Sequence, residues 1–207
     1  MSLYKLLIYV VCFAIAGFST LTLATPTAPM APTEASRPSV AKTNTVEFMG
    51  KQFVLKFRDY DHPIKIAEYF LAQETITDWH ELIEFQIYPV NPQGNKPVDF
   101  ARRTAQAFKR RYPKMQLALL VEKKTGDILL DFFYPISMRK EKGKSFVEFN
   151  AFKYFKDATS DHVMSFHYAK NIEGANAVRS MTDVANEIRN TRAKIIPAMA
   201  KFPRYRQ

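Results

Sequence analysis

The stretch EYFLAQETITDWHELIEFQ, Glu68 to Gln86, gathers five carboxylates, one of the four histidines and the single tryptophan of the chain. Residues of these types can do acid–base chemistry. His80 suits proton transfer near neutral pH, Glu81 or Glu84 could poise its imidazole, and Tyr69, Trp79 and His80 could line a cleft for a small ligand or a hydrolysable substrate. On an extended strand, however, neighbours in sequence point to opposite faces, so His80 and Glu81 would not pair. The competing reading is an elbow. Asp78 stands three residues before Glu81, a capping distance, Ile83, Phe85 and Ile87 alternate as a strand does, and Trp79 fills a gap at the sheet edge with its large apolar area. The elbow is the preferred reading.

Other reactive residues fall less well. His162 and His167 are five positions apart, an odd offset that on a strand turns them to opposite faces, so no shared metal ion is expected. His62 follows Asp61 in a surface turn, and Ser165 near His167 is no more than the Ser-His-Asp combination that any chain of this length offers. Thr125, Gly126 and Asp127 read as a hairpin turn and not as a phosphate cradle. A glycosidase-type carboxylate pair depends on distances that the fold sets. No motif carries a mechanism, so the sequence favours a protein that binds over one that catalyses, with no cofactor.

The compartment follows from the N-terminus. Lys5, the apolar run Leu6 to Phe18 and the small residues Thr22 and Ala24 have the anatomy of a secretory signal peptide, residues 1–24, with cleavage after Ala24. An uncleaved inner-membrane anchor is the lesser alternative. Lipid attachment at Cys12 is rejected, because Val11 occupies the place of the small residue it needs. Cys12 is the single cysteine. Its loss with the signal leaves a mature chain without disulfide, thiol nucleophile, cysteine-bound zinc or iron–sulfur cluster. Residues 25–44, rich in Pro, Ala and Thr, bury too little surface to order and read as a disordered leader. An exported protein, most often periplasmic, is expected, with residues 45–207 as its one folded domain.

That domain reads as strands, a helix, four strands and a second helix. Val46 and Phe48, then Phe53, Leu55 and Phe57, alternate around Gly50 as a hairpin. Leu117 to Lys123 and Ile128 to Tyr134 form another, and SFVEFNAFKYFKD and DHVMSFHYAKN follow as two strands with a short connection, which requires antiparallel pairing. Pro97 can start a helix and Pro113 stop it, with Phe100, Thr104, Phe108 and Tyr112 on one face. Ala175 to Pro197 reads as the longer, C-terminal helix. The expected fold is α+β, an antiparallel sheet of about six strands flanked by two helices.

The formal net charge is +10, and the excess is grouped. Arg102, Arg103, Lys109, Arg110 and Arg111 lie on the first helix, Arg139, Lys140, Lys142 and Lys144 crowd one loop, and Lys201, Arg204 and Arg206 end the chain. Such groups attract anions through their summed field, or simply keep the surface solvated. Nucleic acid is an improbable partner for an exported chain without RNA-binding aromatics, whereas a membrane surface, lipopolysaccharide or an acidic protein is accessible.

Within Glu68 to Tyr88, the positions Glu68, Tyr69, Glu74, Trp79 and Ile87 resemble a pattern in uncharacterised secreted bacterial proteins, where a Glu-Tyr pair, a polar turn and Trp introduce a strand. The order of elements resembles the PsbP-like fold. The resemblance covers about twenty residues, implies a binding or accessory role and carries over no catalytic residues. The reading is an exported, non-enzymatic binding or accessory module with a basic surface for an anionic partner. Its rival is a periplasmic hydrolase or small-ligand protein with a cleft at Tyr69, Trp79 and His80.

Overall fold

The computed structural model describes residues 44–91, 95–133, 140–141, 144–157, 160–176 and 179–204. The signal peptide and the leader up to residue 43 lie outside the described residues, as do Arg139, Lys142 and Arg206. The elements are β1 (Thr45–Phe48), β2 (Lys51–Asp59), β3 (Lys65–Leu71), β4 (Glu81–Ile87), α1 (Pro97–Arg111), β5 (Leu117–Val121), β6 (Ile128–Phe133), β7 (Lys140–Glu141), β8 (Lys144–Lys156), β9 (Val163–Glu173) and α2 (Met181–Lys201). Eight strands form one sheet in the order β1-β2-β3-β4-β9-β8-β6-β5, and the short β7 pairs with β8. Every neighbouring pair is antiparallel.

The class is the expected α+β, with the longer helix C-terminal, but the strand number is corrected from about six to eight. The missed strand is β3, KIAEYFL. Its interior is buried on both faces, so it lacks the apolar–polar alternation that marks a strand with one solvated side.

Alternation in β4, β8 and β9 gives the sheet two different faces. One carries Phe48, Phe53, Tyr69, Ile83, Phe85, Phe149, Phe155, Phe166 and Tyr168, and α2 lies on it through Val184, Ile195 and Met199. At the end of α2, Phe202 stacks on Phe166 with centroids 4.1 Å apart. Polar contacts latch the helix at the far edge. The buried Lys153 ammonium donates to the Ala200 and Phe202 carbonyls at 3.1 and 2.8 Å, satisfying acceptors that a helix end leaves unpaired. Burial pulls the Lys153 pKa down, with nearby Asp127 opposing the shift. Arg192 binds the buried Asp131 in a bidentate pair, at 2.7 and 3.2 Å.

The bounds of α2 differ from the sequence expectation. Ser180 and Asp183 form a reciprocal capping box, so the helix starts at Met181 and not near Ala175. It also runs through Pro197 to Lys201, carried by Met199, which is fully buried. Helix α1 begins at Pro97 as expected and buries Phe100, Ala101, Thr104 and Phe108. It packs on the opposite face of the sheet, where Phe108 meets Phe132 at 4.4 Å and Thr104 bonds the Tyr154 hydroxyl at 2.8 Å.

Candidate functional site: a buried polar seam and a basic helix face

The α1 side of the sheet is uniformly greasy over β6 and part of β8, and mixed elsewhere, with Phe70, Leu82 and Ala169 buried among polar groups. Beside that region, β3, β4, β9 and the other end of β8 present Glu68, Glu84, Gln86, Ser165, His167, Asn150, Glu148 and Asn171, all buried. Register brings them together. Glu84 lies opposite both Glu68 on β3 and His167 on β9, and Gln86 lies opposite Ser165. His167 lies opposite Phe152 on β8, whose ring stacks on the imidazole at 3.9 Å and 1°.

The hydrogen bonds of this seam run in one direction on each side. The Tyr88 hydroxyl donates to Gln86 Oε1 at 2.6 Å, which fixes the amide so that Gln86 Nε2 donates to Glu84 Oε1 at 2.7 Å. Asn150 Nδ2 donates to Glu148 Oε1 at 3.2 Å, so Asn150 Oδ1 is the acceptor for His167 Nε2 at 2.9 Å. Between the two halves, His167 Nδ1 stands 3.5 Å from Glu84 Oε1. Neither His167 Nδ1 nor Glu84 Oε2 has a hydrogen-bond partner. A buried carboxylate beside an imidazole can bind a cationic donor or exchange a proton.

Sequence reasoning missed this seam. It sought a His–Glu pair within one segment, His80 with Glu81 or Glu84, and the fold instead gives Glu84 to His167, far along the chain. The His80 side chain is 70% exposed and its Nδ1 sits 3.1 Å from Glu74 Oε1. Glu81 turns to the α2 face, where it pairs with Lys51 at 2.7 Å. Burial, with Glu81 second, holds the neighbouring Tyr168 phenol above its usual range.

Nor do Tyr69, Trp79 and His80 converge on a cleft. Tyr69 is buried in the α2-side core against Phe85. Trp79 is buried against Phe70, which alternation places on the other side of β3. The segment is held as an elbow: Glu74 Oε1 accepts the His80 backbone N–H at 2.9 Å, and Asn171 Nδ2 donates to the Trp79 carbonyl at 2.7 Å. His162 Nδ1 lies 2.7 Å from the Tyr88 carbonyl, and His62 pairs with Asp59 at 2.9 Å, which raises its pKa. No group of three or more His, Asp or Glu side chains among the described residues has metal-ligating geometry.

The basic residues divide. Arg102, Arg103, Lys109 and Arg110 are exposed, and their spacing along α1 puts them on one arc, since residues three, four and seven apart share a helix face. Arg103 lies over the Phe100 ring at 4.4 Å. Arg111 stands off this arc, over the Tyr112 ring at 5.7 Å. Lys140 and Lys144 belong to β7 and β8 by their backbone. Arg204 is committed elsewhere, to Asp127 and the Thr125 carbonyl. Among the described residues, no helix is long and apolar enough to cross a membrane.

A solved structure described as LpqN, involved in cell envelope biogenesis of Mycobacterium tuberculosis, is similar at a TM-score of 0.28 and 11% identity, over 67% of this chain and 68% of that one. A likeness that low carries neither fold nor function. No curated relative matches. A family model does match residues 40–204, a span that contains the whole of the described fold, and the chain belongs to that uncharacterised family.

Proposed function

We propose that the protein is an exported accessory module that docks on an anionic surface, through the basic face of α1. The observation that carries this reading is the arc of Arg102, Arg103, Lys109 and Arg110. All four are exposed, and none is in an ion pair among the described residues. Other cations do find carboxylates, Lys51 with Glu81, Lys170 and Arg179 with Glu187, Arg192 with Asp131, Arg204 with Asp127; single lysines such as Lys56 and Lys194 also stand outside any ion pair among the described residues, but the four α1 cations share one helix arc.

Helix electrostatics account for part of the arc. Cations in a last turn complement the negative end of the helix, and Lys109, Arg110 and Arg111 fit that explanation. Arg102 and Arg103 lie in the first half of α1, where the same dipole gives cations no advantage. An anionic partner gives all four a common reason. A bilayer surface is the simplest such partner, at about 1 kcal/mol for each well-placed Lys or Arg.

Export rests on the signal-peptide anatomy of residues 1–24, and the PsbP-like likeness on the order of elements alone. A hydrolytic cleft at Trp79 loses support, because its three residues face apart.

The test is co-sedimentation of the purified protein with phosphatidylglycerol-containing vesicles and with pure phosphatidylcholine vesicles. Binding is expected only to the anionic vesicles and is expected to vanish near 1 M salt, where the screening length falls to about 3 Å. Equal binding to both lipids, or none to either, overturns the reading.

A further inference from the structure

Besides Asn171 Oδ1 at its far end, the polar seam leaves two facing atoms without a partner, Glu84 Oε2 and His167 Nδ1, and that gap has a definite chemistry. Nε2 of His167 is committed as a donor to Asn150 Oδ1, so in the neutral ring Nδ1 is an acceptor. It faces Glu84 Oε1, another acceptor, at 3.5 Å. Glu84 Oε2 has no donor either. Glu84 is 1% exposed and His167 3% exposed, so the mismatch is not relieved by open solvent. A buried carboxylate in that position is costly until a positive donor reaches it.

The geometry points to a site for a primary ammonium group between Glu84 and His167. An ammonium carries three donors and one positive charge, so it can donate to Glu84 Oε2 and His167 Nδ1 together while offsetting the carboxylate. A hydroxyl supplies one donor and no charge. A divalent metal ion fits less well, since no three His, Asp or Glu side chains among the described residues converge for it. The acceptors are held in place beforehand. Gln86 pins Glu84, Asn150 pins His167, and the Phe152 ring, stacked parallel to the imidazole within 1°, fixes its tilt. The site lies on β4 and β9, and it stands or falls independently of the α1 arc.

Titrating the full chain, labelled with nitrogen-15, with ethanolamine tests the assignment, with ethylene glycol as the uncharged partner of similar size. The expected result is a saturable shift of the His167 ring nitrogens and of the Gln86 and Asn150 side-chain amides. Ethanolamine should act at no more than a tenth of the ethylene glycol concentration. Glu84→Gln should abolish the response, and Lys194→Ala, an exposed charge on the opposite side of the sheet, should leave it intact. No shift with ethanolamine, an equal shift with ethylene glycol, or a response retained in Glu84→Gln overturns the site. A proton already on His167 Nδ1 in the ligand-free protein also overturns it, because an imidazolium would fill the gap without any ligand. The wild-type comparison of the two probes decides the matter even if Glu84→Gln fails to fold.

Discussion

Replacing Phe166 with alanine is expected to lower the unfolding free energy by about 3–5 kcal/mol, the range for a fully buried aromatic truncated in a core. Phe166 is the hub of the α2-side core. Its ring touches Phe48 at 5.3 Å, Phe85 at 5.3 Å and Phe202 at 4.1 Å, so one side chain joins β1, β4, β9 and the end of α2. Truncation removes apolar burial and three ring contacts at once, and neighbours fixed to a sheet cannot collapse far into the space. Urea denaturation should show a lower midpoint with an unchanged slope. A loss under about 1 kcal/mol would mean that α2 does not rest on this face as described.

Trp79→Ala should cost about 3–5 kcal/mol as well, whereas Trp79→Phe should cost less than half of that. Here the elbow, not the α2-side core, is what the side chain supports. Trp79 closes the turn between β3 and β4 against Phe70, at a centroid distance of 6.4 Å. Its backbone carbonyl and that of His80 accept from the Asn171 side chain and backbone, at 2.7 and 2.8 Å. Alanine leaves those bonds anchored to an emptied site, while phenylalanine keeps most of the apolar area. If the two variants lose equal stability, the indole N–H and not the packed surface is what matters at this position. Paired urea titrations give the answer.

How far the sequence discloses this molecule depends on where the deciding contacts lie along the chain. Helix α1 is legible because its signals are local: Pro97 opens it, Pro113 follows it, and Phe100, Thr104 and Phe108 recur at helical spacing. The start of α2 is also local, yet Ala175 to Val178 continue the apolar pattern and mask the Ser180–Asp183 cap. Strand β3 is hidden by burial on both sides, with Glu68 in its centre. The seam is the clearest case. Its residues sit at alternate positions in three strands, Glu84 and Gln86, Glu148 and Asn150, Ser165 and His167, which in isolation reads as an ordinary solvated face. Only the register of β4, β9 and β8 sets Glu84 beside His167, and register between strands so far apart leaves no local trace. The one available hint was that three strands each carry polar pairs two residues apart where the other face is mostly apolar, with Glu81, Lys153 and Lys170 as its charged members.

The basic face of α1 stands or falls on charge reversal along that helix. The decisive comparison sets the quadruple variant of Arg102, Arg103, Lys109 and Arg110, each changed to Glu, against a control in which the exposed Lys56, Lys123, Lys124 and Lys194 are changed likewise. Both variants alter the net charge by the same amount, so any difference between them reports position. In co-sedimentation with anionic vesicles at low salt, the α1 variant is expected to lose about 4 kcal/mol or more, roughly a thousandfold in affinity, and the control far less. Equal losses would reduce the arc to a share of the overall charge, and full binding by the α1 variant would contradict the account outright.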